Sequence, residues 1–184
     1  YYYKITALDG GVNESVQSSI IFSTPKTPQT ISFNSLANKI YRATDFDAGA
    51  TTSSGLTVTY SSNNTAVATI VGDKIRIVGV GSVTITASQS GNGLYFPAAN
   101  QSQNLIITKK TISASLTGTV SKTYDGNTQA NLASANYMLS GLEVRDIVNL
   151  NDPISGTYDN KDKGLNKTVN VTGLIISGID AVNY

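Results

Sequence analysis

The sequence predicts an all-β chain of tandem β-sandwich modules. Three observations predict it. Apolar residues recur at every second position in short runs, as where Val83, Ile85 and Ala87 alternate with Thr84, Thr86 and Ser88. That period marks a strand with one buried face. Clusters of Gly, Asn, Asp and Ser separate the runs, and these residues accept the backbone angles that tight turns need. Almost no stretch shows the spacing of an amphipathic helix.

The elements follow in order. In residues 1–24, Tyr2, Lys4 and Thr6 oppose Tyr3, Ile5 and Ala7 across a strand. Asp9-Gly10-Gly11 supplies a turn, and residues 18–23 read as the returning strand. Two strands make no stable domain alone, so this segment reads as the end of a module, and the chain as starting inside a longer polypeptide. Pro25-Lys26-Thr27-Pro28 reads as a linker, residues 25–28, with both prolines keeping the chain extended.

The next module spans residues 29–110. Ile31 and Phe33 alternate with Thr30 and Ser32. Val67, Thr69 and Val71 lead into the hairpin turn Gly72-Asp73, and Ile75 and Ile77 return opposite Lys74 and Arg76. Residues 79–81 turn the chain again, and Leu105 and Ile107 close the module. The last module spans residues 111–184. There Ile112, Ala114 and Leu116 alternate with Ser113, Ser115 and Thr117, and Val169 and Val171 with Thr168, Asn170 and Thr172. The two modules meet at residues 108–111 without Gly or Pro, which predicts a joint with little freedom to bend.

Composition narrows the function classes. Of 184 residues, 40% are hydrophobic and only 14% charged, with net charge +1. Globular chains average about 25% charged, so Ser, Thr, Asn and Gln carry the polarity here. The longest basic run, Lys109-Lys110, makes no phosphate-binding stripe, which argues against nucleic acid. No apolar run is long enough to span a bilayer, and no signal peptide is visible. Cys, His and Trp are absent. Zinc, copper, haem and iron–sulfur sites lose their usual ligands. Triads of the Ser-His-Asp or Cys-His kind are excluded.

Several residues invite a site reading. Tyr124-Asp125-Gly126 offers a ring and a carboxylate to a ligand, or else a strand end where Asp caps a turn that Gly completes; the turn is the expectation. Asp45 and Asp47, and separately Asp159, Asn160 and Asp162, could give oxygens to calcium. Neither loop has EF-hand spacing, so solvated acids are expected, with calcium the one ion left open and no cofactor expected. Paired carboxylates can hydrolyse glycosides, but these lie in separate turn loops, and no catalytic, cofactor-binding or metal residue is expected. Tyr can stack on sugars, though strand packing explains most of the ten tyrosines. Sequons stand at Asn13, Asn63, Asn100, Asn166 and Asn170, as chance allows in such a composition. No local pattern marks a Lys–Asn isopeptide cross-link.

The modules resemble known families, and with the short joint the resemblance implies tandem immunoglobulin-like β-sandwich modules arranged as an elongated rod. Residues 1–24 resemble the last two strands of a fibronectin type III module. Residues 29–110 resemble the bacterial Ig-like repeat of long Bacteroidetes surface proteins, most clearly in "SGLTVTYSSNNTAVATI", "IVGVGSVTITASQSGN" and "NLIITK". Residues 111–184 resemble the YDG domain through Lys122 and Tyr124-Asp125-Gly126. The likeness continues at Leu139, Gly141, Asp146, Gly156, Tyr158, Gly164, residues 169–174 and "SGIDAVNY". Arg145 stands where that family usually has Gly, which puts the turn before Asp146 in question. The family pattern continues past the final Asn-Tyr pair, so the module is expected to be cut at its C-terminal edge.

Tandem modules, short joints and few charges predict a non-enzymatic stalk that spaces and bears load for a distal binding region. The resemblance implies a secreted adhesin on the bacterial cell surface, exported by type IX secretion and serving attachment or gliding motility. Its partners would be neighbouring modules, the outer-membrane secretion or anchoring machinery, and surface glycans. The alternatives are a glycan- or protein-binding module, and an ancillary segment of a secreted multidomain enzyme.

Overall fold

The structure is a computed structural model that describes residues 2–7, 10–11, 21–22 and 24–184. In chain order its strands are β1 (Tyr2–Tyr3), β2 (Ile21–Phe22), β3 (Ile31–Ser32), β4 (Lys39–Ile40), β5 (Phe46–Asp47), β6 (Thr51–Thr52), β7 (Thr59–Ser62), β8 (Ala68–Val71) and β9 (Lys74–Ile77). They continue with β10 (Gly81–Ser88), β11 (Gln101–Thr108), β12 (Ser113–Leu116), β13 (Gln129–Asn131), β14 (Tyr137–Ser140), β15 (Asn149–Leu150), β16 (Ser155–Tyr158), β17 (Val169–Asn170) and β18 (Ile176–Ser177). Two 3-10 turns, Ser134–Asn136 and Ala181–Asn183, are the helical elements among the described residues. The described residues are therefore all-β. It divides into two compact units, one of Tyr1–Ala37, Asp45–Arg76 and Val83–Leu105, the other of Asn38–Thr44, Ile77–Ser82 and Ile106–Tyr184.

In the first unit β1 pairs antiparallel with β2, Tyr2 opposite Phe22. Gly10 and Gly11 lie in a turn. Asp9 and most of the returning strand expected at 18–23 fall outside the described residues, as does the sequon Asn13. The Pro25–Pro28 stretch is bonded along one side: the Thr27 amide donates to the Leu94 carbonyl at 2.8 Å, and the Phe96 amide to the Thr27 carbonyl at 3.0 Å. Buried Gln29 continues this edge, its Nε2 donating to the Phe96 carbonyl at 2.7 Å.

The core of this unit comes from alternation. Ile31 and Phe33 are buried between exposed Thr30 and Ser32. β9 buries Ile75 and exposes Lys74 and Arg76; β10 buries Val83, Ile85 and Ala87. Leu105 on β11 completes it. Each of these Val, Leu, Ile and Phe side chains stabilises the fold by about 1.5–3 kcal/mol, and Ala87 by less. Gly72, at φ +66°, makes the turn between β8 and β9, where a side chain would strain the backbone. β5 pairs β9 antiparallel, so Asp47 stands opposite Lys74.

In the second unit, β4 runs parallel to the end of β11, Lys39 opposite Ile107 and Ile40 opposite Thr108. The unit also holds three small antiparallel sheets: β12 with β14, β15 with β18, and β13–β16–β17. Their strands are two to four residues long. The alternation expected at 112–116 does not produce a buried face: β12 is exposed along its whole length, because its two-stranded ladder has no apolar layer covering it. Val169 and Val171 do alternate, half-buried, with exposed Thr168, Asn170 and Thr172. The turn before Asp146 keeps a left-handed backbone although Arg145 occupies it, at φ +86°.

Candidate functional site

Two polar loops and one cleft make up the candidate site, all within the second unit. The Tyr124-Asp125-Gly126 turn is built by Asp125. Its Oδ1 accepts the Asn127 amide at 3.1 Å and its Oδ2 accepts Asn127 Nδ2 at 2.8 Å. Gly126 follows at φ +73°. This is an Asx turn completed by glycine. Lys122 lies across it, its ammonium 2.8 Å from Asp125 Oδ1, 2.6 Å from Asn127 Oδ1 and 2.9 Å from the Asn127 carbonyl. The same ammonium sits 5.7 Å from the centre of the Tyr158 ring. The hydrogen bond and charge of Lys122 hold the Asp125 carboxyl below its ordinary range. Tyr124 itself is 60% exposed.

The acidic loop at 159–164 is organised in the same way. Asp159 Oδ1 accepts the Asn160 amide, and Asn160 Oδ1 accepts the Asp162 amide. Lys167 Nζ donates to Asn160 Oδ1 and, at 2.6 Å, to the Asp162 carbonyl, and it stands 3.6 Å from Asp159 Oδ1. Two of the side chains considered as calcium ligands, Asp159 and Asn160, thus face the Lys167 ammonium, while the exposed Asp162 carboxylate stands 3.6 Å from Lys161 Nζ. Asp45 and Asp47 are likewise held by cations: Arg76 bonds both oxygens of Asp45, the closest at 2.7 Å, and Lys74 reaches Asp47 at 2.7 Å. The Arg76 hydrogen bonds hold the Asp45 carboxyl low. Among the described residues, no three acidic side chains lie close enough together to hold a metal ion.

Both lysine-organised loops border one open cleft of about 740 Å³. Leu132 lies on its floor, and Tyr124 and Leu165, the latter 93% exposed, stand on its rim. The volume is that of a small-ligand pocket. Lys122 and Lys167 are already committed to loop oxygens, so the cleft offers the Tyr124 ring, an apolar rim and further polar side chains such as Thr117, Ser121, Lys163 and Asn166. The described sequons Asn63, Asn100, Asn166 and Asn170 are all exposed.

The structure also assembles a cluster of which the sequence announced only one side. Asp146, whose side chain is 1% exposed, receives Arg42 Nη2 at 2.9 Å and the Tyr184 hydroxyl at 2.8 Å. Asp146 matched the family pattern, but Tyr41 and Arg42 had no motif to announce them, since their partner lies about a hundred residues away.

Fold and sites together define a small all-β module whose loops are pinned by side-chain hydrogen bonds. Residues 108–184 match the YDG domain family, and a YDG domain occupies that stretch. No curated protein and no solved structure matches the chain.

Proposed function

We propose that this chain is a non-enzymatic stalk segment of a long, secreted bacterial cell-surface adhesin, in which tandem Ig-like sandwiches form a rod that bears load and presents a distal binding region. The observation that carries this reading is the way the chain enters the YDG domain. β11 ends at Thr108 and β12 begins at Ser113. The residues between are held: the Lys110 amide donates to the Asn183 carbonyl at 3.0 Å, and Lys109 Nζ to the Tyr184 carbonyl at 2.8 Å. A connection bonded on both backbone and side chain transmits force instead of paying out slack. The wider setting is the bacterial surface, reached by type IX secretion, with outer-membrane anchoring machinery and surface glycans as partners and attachment or gliding motility as the task.

Small-angle scattering tests the rod directly. The expected profile is that of an elongated particle, and a compact globular profile would overturn the reading. A second reading, glycan or protein binding, is favoured by the open cleft with Tyr124 and Leu165 on its rim. A glycan array probed with the full chain decides it: saturable binding abolished by Tyr124→Ala would replace the pure stalk with a binding module.

A further inference from the structure

The YDG domain as matched begins at residue 108, yet the compact unit that contains it also takes in Asn38–Thr44 and Ile77–Ser82. The contacts explain why. Arg42 sits at φ +61°, a left-handed angle a non-glycine residue adopts at a cost. That turn presents two side chains together. Arg42 Nη2 donates to Asp146 Oδ1 at 2.9 Å, and Arg42 Nε donates to the Tyr41 hydroxyl at 3.0 Å. The guanidinium lies 5.1 Å from the centre of the Tyr41 ring. The Tyr41 ring is 2% exposed and meets the Tyr184 ring edge-on, centroids 5.6 Å apart at 81°.

The receiving side is equally specific. The Tyr184 hydroxyl donates to Asp146 Oδ2 and accepts the Glu143 amide at 2.9 Å. Asn183, 7% exposed, accepts the Val80 amide on its side-chain oxygen at 3.1 Å and the Lys110 amide on its carbonyl at 3.0 Å. Asp180 Oδ2 accepts the Ile147 amide at 2.8 Å, which pins the Asp146 turn to the end of the chain. Gly178 permits that approach: at φ +114°, a Cβ there would stand 2.3 Å from the Ile147 carbonyl oxygen. A buried carboxylate needs this density of partners, because an unpaired charge out of water is costly.

We propose that Asp146, Asn183 and Tyr184 form an intramolecular docking socket whose occupant is the Tyr41-Arg42 turn, together with the Val80 amide, of the chain preceding the YDG domain. The chemistry it recognises is a guanidinium stacked beside a phenol on a left-handed turn. Its C-terminal Asn-Tyr pair is then a clasp on the neighbouring sequence, and the strap 38–44 completes the domain's compact unit. The inference stands whether or not the chain bears load.

Residue-resolved hydrogen exchange on the full chain tests it. Arg42→Ala is expected to speed exchange of the Val80, Lys110 and Glu143 amides on the order of tenfold, while amides of β10 and β16 keep their rates. Tyr41→Phe, a milder change, is expected to act on the same three amides to a smaller extent, and it serves in place of Arg42→Ala if that variant does not fold. Unchanged rates at all three amides, or equal acceleration throughout the chain, would overturn the proposal.

Discussion

Val83, Ile85, Ala87, Leu105 and Ile107 are at most 2% exposed, whereas Val144, Ile154, Leu165 and Ile179 are 88, 80, 93 and 79% exposed. The contrast separates the stretch through β11 from the YDG domain. Strand length explains it. β10 and β11 are eight residues each, long enough for alternation to fill an apolar face. The YDG strands are two to four residues, so most of their neighbours lie in turns where no such face forms. Polar pins replace the core there: Asp125 and Lys122 at one turn, Asn160 and Lys167 at another, Asp146 beneath Arg42 and Tyr184. An apolar face tolerates exchange of one hydrophobe for another. A pinned turn depends on particular donors and acceptors, which is why it shows as a motif.

The largest effect expected from this comparison is Leu105→Ala, at about 3 kcal/mol lost in urea unfolding, against no more than about 0.5 kcal/mol for exposed Leu165→Ala. Equal losses would erase the distinction between the two regions. Next comes Arg42→Ala, at about 2 kcal/mol at neutral pH, because it strands a buried carboxylate while Arg42 itself keeps much of its surface in water.

That second cost depends on pH. Burial works against the Asp146 charge, but hydrogen bonds from Tyr41, Tyr184 and Arg42, with the Arg42 charge, outweigh it and lower the carboxyl from its ordinary value. A depressed folded-state value stabilises above the unfolded value of about 4, and that contribution is lost as pH falls through the folded one. The facing phenols stay protonated throughout, Tyr41 being pushed up to about 12 by burial and its bond to Asp146, and Tyr184 upward by burial. Melting temperatures of the parent and Arg42→Ala chains are therefore expected to converge below about pH 4. A gap that stays constant down to pH 2 would remove Asp146 ionisation from the account.

Arg145→Gly should gain about 1 kcal/mol by relieving the left-handed strain at φ +86°. A loss would mean that the arginine side chain holds the turn. The smallest effect is expected at Arg76→Ala. Asp45 and Arg76 meet in water, and the melting temperature should not move measurably.

The legible parts were those written in local pattern. Ile75, Ile77, Val83, Ile85 and Ala87 announced their buried face by alternation, and Asp125-Gly126 announced its turn by residue type. Ile112, Ala114 and Leu116 carried the same alternation and stayed exposed or half-buried, because a period states which residues share a face and not whether anything covers it. Lys122 and Lys167 were legible as charges but not as the cations of their own loops. Their oxygens come from turns whose curl depends on the backbone between them.

By itself the sequence determined the strand periods, the turn positions, the absence of Cys, His and Trp and the YDG pattern, since each depends on neighbouring residues or on composition. Tertiary structure alone decided that Tyr41 and Arg42 would meet Asp146 and Tyr184, and that residues 38–44 and 77–82 would join the YDG domain's compact unit. Those contacts span up to about a hundred residues of chain. A single sequence specifies such pairs only through the packed whole, where one buried carboxylate selects among the many distant donors the chain offers.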